Sequence, residues 1–239
     1  MAPKKATPAY SFPDPMDNDS LVGHCDVLES FMNAWAARDT HPIHPVWMLT
    51  GPKGIGKATL AYKIAKIVYG NVGDFFIIDQ ARNIDKDGKN KSDGKVISVY
   101  TVRAMIDRMR MSSMSGEWRV VLIDSVDELN TAASNAILKL LEEPPAKTLF
   151  LLVTHQLANV LPTVRSRARV EKMRPLTISQ LRELCVKFIP DADISTATLK
   201  LANGSFGKIA ALKSSGGDVI YEDLVELLKN PRTGYGDIM

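Results

Sequence analysis

The sequence predicts an α/β domain built on a central parallel sheet, followed by a small all-helical domain. Three observations point there. Near-continuous apolar runs at Val46–Thr50, Arg119–Asp124 and residues 149–154 (LFLLVT) read as strands buried on both faces. Helical stripes alternate with these runs, the pattern of a sheet covered by helices on both sides. After Pro175 the strand-like runs stop and only helical stripes remain.

The first 20 residues, rich in Pro, Asp and Ser, carry no periodic pattern and read as an N-terminal arm. Residues 26–37 place Val27, Leu28, Phe31, Ala34 and Trp35 along one helical stripe. The Val46–Thr50 run enters Gly51 as a buried strand. Leu60, Ala61, Ile64, Ile67 and Val68 then define the next helix. Residues 75–78 suggest a strand, and 83–95 a polar loop punctuated by glycine. Val102, Met105, Ile106 and Met109 mark a helix whose methionines face the core. Arg119–Asp124 is a strand ending in a carboxylate, and residues 133–141 form a helix stopped by Pro144 and Pro145. Beyond Pro175, Thr177 and Gln180 make a capping box that opens a helix carrying Leu181, Leu184, Cys185 and Phe188 on one face. Further helices are expected around 194–203, 207–212 and 221–229. No internal repeat is visible.

Composition narrows the class. The chain has 239 residues, 45% hydrophobic and 24% charged, which is ordinary globular usage and excludes a disordered or collagen-like chain. Thirty Lys and Arg against 27 Asp and Glu leave a net charge of +3, so any nucleic-acid contact must come from local placement of charge. Cys25 and Cys185 are too few for a disulfide framework or a four-cysteine zinc site, and read as small buried hydrophobes. The four histidines lack metal spacing; His41 and His44 sit in a Pro-rich loop and suit a structural role. No apolar run approaches about 18 residues and Met1 to Lys5 leads into Pro and polar residues, so a cytoplasmic setting without membrane contact is the expectation.

Gly51, Pro52, Lys53, Gly54, Ile55, Gly56 and Lys57 follow a strand and precede a helix, which is the context of a phosphate-binding P-loop. The glycines leave no Cβ between backbone N–H groups and phosphate oxygens, and Lys57 reaches the β- and γ-phosphates. The next position should carry the Ser or Thr hydroxyl that binds Mg²⁺, and here it is Ala58. Thr59 has a hydroxyl but lies about 100° further round the helix. Asp124 ends its strand where a Mg²⁺-holding aspartate belongs, and equally where a plain strand-ending carboxylate would. Hydrolysing proteins of this architecture follow it with a Glu that orients water; this chain has Ser125, and Asp127 and Glu128 lie past the strand end. Two groups needed for hydrolysis are absent together.

Residues 135–145 (NAILKLLEEPP) resemble the N-A-L-L-K-x-L-E-E-P-P signature of bacterial clamp-loader subunits, members of the AAA+ ATPases. Thr163-Val164-Arg165-Ser166-Arg167 resembles the family's S-R-C motif, with Ala168 in place of the Cys. Leu21-Val22-Gly23-His24 is similar to the segment near the adenine. Gly204-Ser205-Phe206-Gly207-Lys208 is similar to G-S-P-G-R of the lid, with Lys208 at the sensor-2 position. The departures at Ala58 and Ser125, beside a retained Arg165-Ser166-Arg167 run, resemble the delta-prime type of DNA polymerase III subunit more than the hydrolysing gamma/tau type.

The resemblance covers roughly residues 21–213. It implies an arm at 1–20, an AAA+ P-loop domain at 21–175 and a helical lid at 176–239, with the family's C-terminal collar domain expected to be absent. It further implies a stator subunit of a hetero-oligomeric clamp loader that helps load the sliding clamp onto primed DNA beside gamma/tau and delta subunits. ATP or ADP would lie on residues 51–59 with Val22, Asp124, Thr154 and Lys208 nearby, Mg²⁺ would enter only with nucleotide, and no zinc is implied. Thr154 matches the sensor-1 position, and would serve as well as a strand-ending Thr. Arg167 resembles an arginine finger that reaches a neighbour's γ-phosphate, set against a surface Arg in a basic loop with Arg165 and Arg169. Arg103 and Arg108, with Arg110, would track a DNA backbone, or form a solvated helix face. Two other readings remain open here: a hydrolysing clamp-loader ATPase, and a stand-alone nucleotide-switched binding module.

Overall fold

Five strands form one parallel sheet in the order β2-β3-β4-β1-β5. They are β1 (Val46–Thr50), β2 (Asp74–Asp79), β3 (Arg119–Asp124), β4 (Thr148–Thr154) and β5 (Arg169–Lys172). The computed structural model describes residues 13–70, 73–91, 96–111, 117–190 and 194–229. Strand β4 is central, and all seven of its residues are buried. Each fully buried Leu or Phe on it contributes roughly 1.5–3 kcal/mol of transfer free energy.

Helices cover both faces, as the unbroken apolar strands require. Helix α2 (Lys57–Tyr69) packs Leu60, Ala61 and Ile64 against the sheet. Helices α3 (Val99–Met111) and α4 (Thr131–Glu142) deliver Val102, Met105, Met109, Ala133, Ile137 and Leu141 to a core with Met48, Ile78, Val121, Ile123, Phe150 and Leu152. Helix α1 (Cys25–Ala36) buries Val27 and Phe31, and Phe31 meets the Trp47 ring edge-on at 5.1 Å.

The chain divides into two compact units. The larger comprises Pro15–Pro52 and Gly56–Arg174 and contains the sheet. The smaller takes in Lys53–Ile55 and the described residues from Pro175 onward. It is built from α6 (Ile178–Phe188), α7 (Thr196–Ala202), α8 (Phe206–Ser215) and α9 (Gly217–Lys229). The Thr177 capping box is formed in both directions, and Ser195 and Ser205 cap α7 and α8. Lys213 and Asp218 make a 2.6 Å ion pair that is almost wholly buried.

The fold class is the one the sequence predicts, and the differences are local. Short α5 (Pro162–Arg165) is a single turn, too brief for a helical stripe, and edge strand β5 (RVEK) carries one apolar side chain, so neither is announced by its sequence. Arg169 therefore belongs to a strand rather than a basic loop. Its guanidinium lies 4.2 Å from the centre of the Trp47 ring and bonds Glu171 and Ser30. Cys185 is buried as expected, but Cys25 is exposed, since it opens α1 at a position outside the apolar stripe. Most of the expected N-terminal arm (residues 1–12) and part of the 83–95 loop (residues 92–95) lie outside the described residues. The remainder of that loop is tied down by fully buried Asn83, whose side chain bonds the Lys91 and Val96 carbonyls, the Ser98 N–H and the Thr101 hydroxyl.

Candidate functional site

Parallel strands end together, and their carboxyl ends gather the loops that can carry chemistry. In the larger unit β1, β3 and β4 end side by side. Thr50 pairs with Thr154 and Asp124 with Val153, so Gly51, Asp124, Ser125, Thr154 and His155 share one edge.

Gly56 turns the glycine loop into α2 at φ 103°, a left-handed conformation that favours glycine. A Cβ there would lie 4.0 Å from His24 Cδ2, so the 21–24 segment passes close to the end of the loop. Lys57 is buried, and its Nζ donates to the Gly51 and Pro52 carbonyls at 2.7 Å each. The loop's middle, Lys53–Ile55, groups with the smaller unit. There Ser205 Oγ donates to the Lys53 carbonyl at 2.8 Å and the Gly207 N–H to the Gly54 carbonyl at 3.0 Å. A Cβ on Gly207 would fall 2.8 Å from Gly54 Cα, so only glycine permits this approach. Lys208, the third residue of α8, is exposed.

Asp124 titrates above its ordinary value of 3.8. Burial drives the rise; the Ser125 hydrogen bond and the Lys57 charge oppose it, while Asp79 and Asp127 add to it. Ser125 is buried, and its Oγ sits 3.1 Å from His155 Nε2 and 3.4 Å from Asp124 Oδ1. Asp127 turns to the end of β4, accepting the His155 N–H at 3.1 Å and the Gln156 N–H at 3.2 Å. Thr154 is fully buried, and its Oγ1 accepts the Gln156 N–H at 3.2 Å.

These residues fit an anion better than a metal. Backbone N–H groups at the start of a 13-residue helix and a lysine suit phosphate oxygens. A metal is less well served: position 58 offers a methyl group where a hydroxyl ligand belongs, and burial works against the charged form of Asp124.

Arg167 is held by a different set of residues. Its Nη2 lies 2.6 Å from Glu142 Oε1 and its Nη1 donates to the Thr163 carbonyl at 2.8 Å. Arg103 and Arg108 are exposed on α3, and Arg110 pairs with Asp107 at 3.6 Å. Two partners escaped the sequence reading. His155 follows Thr154 directly, and only the neighbouring strand ends bring it to Ser125. Glu142 lies in the 135–145 signature, but nothing in a linear sequence pairs it with Arg167.

A family model described as DNA polymerase III, delta subunit, matches residues 29–177. The chain belongs to this family of clamp-loader AAA+ proteins. Among its relatives, a DNA polymerase III subunit tau from Salmonella typhimurium is 30% identical over 170 residues, covering 68% of this chain and 26% of that protein. A DNA polymerase III subunit delta' from Pseudomonas aeruginosa is 29% identical, covering 66% of this chain and 52% of that protein. The structure of the RuvB Holliday junction branch migration motor from Thermotoga maritima matches with a TM-score of 0.55 at 19% identity, over 84% of this chain and 64% of that one, which shows the AAA+ fold. The chain spans about half or less of the length of these curated relatives. Among the described residues, no helix is long and apolar enough to cross a membrane.

Proposed function

We propose that this chain is a non-hydrolysing clamp-loader subunit of the delta-prime type, acting as a stator in DNA replication. It binds ATP weakly or not at all and supplies Arg167 to the nucleotide of a neighbouring ATPase subunit. Its partners are gamma/tau- and delta-type subunits, the sliding clamp and primed DNA, whose backbone Arg103 and Arg108 are suited to meet through charge alone.

The observation that carries this reading is the state of the sheet edge. The carboxylate that would orient water is replaced by a Ser125 hydroxyl held against His155, beside Ala58 and a Lys57 turned onto its own loop. A subunit so built contributes through its surface. A planar guanidinium delivered in trans stabilises charge on a transferring phosphoryl group, an effect worth about 10³–10⁵ in rate where an arginine finger operates.

The test is the ATPase rate of gamma/tau- and delta-type partners with and without this chain, at saturating clamp and primed DNA. The chain alone should be silent and its addition should raise the partners' rate. Turnover by the chain alone at ordinary ATPase rates would overturn the proposal.

A further inference from the structure

Arg167 is held at both ends of its guanidinium by different elements. Nη1 bonds the Thr163 carbonyl four residues back, at 2.8 Å, and Nη2 meets Glu142 Oε1 at 2.6 Å. Glu142 is the last residue of α4, which is locked into the core through Ala133, Ile137 and Leu141. Helix α5 is anchored by buried Val164 and packs against α4. The backbone that carries the Glu142 carboxylate is therefore fixed, while both side chains stay partly open to water, at 34% for Arg167 and 47% for Glu142.

An unrestrained arginine spreads over many rotamers, and every one that points away from a phosphate subtracts from the finger's effect. A guanidinium has five N–H donors. Nη1 donates to the Thr163 carbonyl and, at 3.4 Å, to Ser166 Oγ, while Nη2 meets Glu142, which leaves Nε–H and a second Nη2 hydrogen. Donors on the remaining edge stay available to a bidentate acceptor.

We infer that Glu142 is a positioning residue for Arg167: it fixes the guanidinium in the orientation presented to the neighbouring subunit's phosphate. This rests on the reading of Arg167 as a trans-acting finger. Glu142 acts through Arg167 and touches no nucleotide itself. Its removal lowers the partner's kcat and leaves the partner's KM for ATP unchanged.

The experiment compares Glu142→Ala, Arg167→Ala and the double variant in the loader assembled from full-length subunits. Glu142→Ala should cut the stimulated kcat about twofold to fivefold, the range to which an exposed ion pair converts. In the Arg167→Ala background it should have no further effect. Glu142→Gln, which keeps a hydrogen-bond acceptor, should fall between Glu142→Ala and wild type. On the chain alone, NMR relaxation of the Arg167 Nε–H group should report a more mobile guanidinium in Glu142→Ala. A wild-type or raised rate in Glu142→Ala, or an equal loss with and without Arg167, overturns the inference while leaving the finger intact. Unchanged Arg167 order in Glu142→Ala overturns it as well. A wild-type rate in Arg167→Ala instead defeats the finger reading itself.

Discussion

Ser125 Oγ lies 3.1 Å from His155 Nε2, across the neighbouring ends of β3 and β4. The Ser125 hydroxyl, held against an imidazole, does not supply the carboxylate that orients water in hydrolysing proteins of this architecture. The same edge offers Ala58 in place of the Mg²⁺-binding hydroxyl. Removing one preorganised transition-state group costs about 10²–10³-fold in rate, and this chain lacks two. Phosphate release by the purified chain should therefore not exceed background, and Ser125→Glu alone should not restore it, because Ala58 remains.

Nucleotide affinity is expected to depend on Lys57. A phosphate must compete with the Gly51 and Pro52 carbonyls for its ammonium, a competition that weakens binding. Calorimetric titration with ATP should give weak or undetectable binding, weaker still in Lys57→Ala. Equal, measurable affinity in wild type and variant would make the loop purely structural.

Much of this was legible in the sequence, for identifiable reasons. β1, β3 and β4 are buried on both faces, so their apolar runs announced them. The loop from Gly51 to Lys57 was legible because phosphate binding needs glycine and lysine at fixed spacing. Strand β5 was hidden because its four residues are mostly charged and it is held by pairing with β1. The His155–Ser125 and Glu142–Arg167 pairs were hidden because each joins residues 25 or more positions apart, and only the tertiary fold brings them together.

Asp124 makes stability depend on pH in a stated direction. Its folded-state pKa is raised by burial, so its contribution is fully present below the unfolded value near 3.8 and is lost as pH rises through the folded value. Asp124→Asn removes that ionisation while keeping an acceptor for Ser125. Thermal melts should show the variant gaining on wild type as pH rises above about 4, with the gain vanishing in more acidic buffer. A difference independent of pH would contradict the assignment.

Gly54 and Gly207 approach through bare backbone. Gly54 has φ 79°, and its added Cβ would meet Ser205 Oγ at 2.5 Å and Gly207 Cα at 2.9 Å. Gly54→Ala should destabilise the chain by about 1–2 kcal/mol from the left-handed backbone alone, with steric cost added. Gly207→Ala, with a clash against Gly54 Cα at 2.8 Å but no left-handed strain, should cost less. Urea denaturation of both variants checks the order.

The most direct test of the central claim is Arg167→Ala in the assembled loader, read as ATP turnover stimulated by clamp and primed DNA. Arg167 is partly exposed and its ion pair with Glu142 is a surface contact, so the thermal midpoint of the chain should hardly move. The partners' turnover should fall steeply, and Arg167→Lys should rescue it poorly, because lysine keeps the charge but loses the planar fork. A loader that assembles with Arg167→Ala and turns over ATP at the wild-type rate would contradict the account.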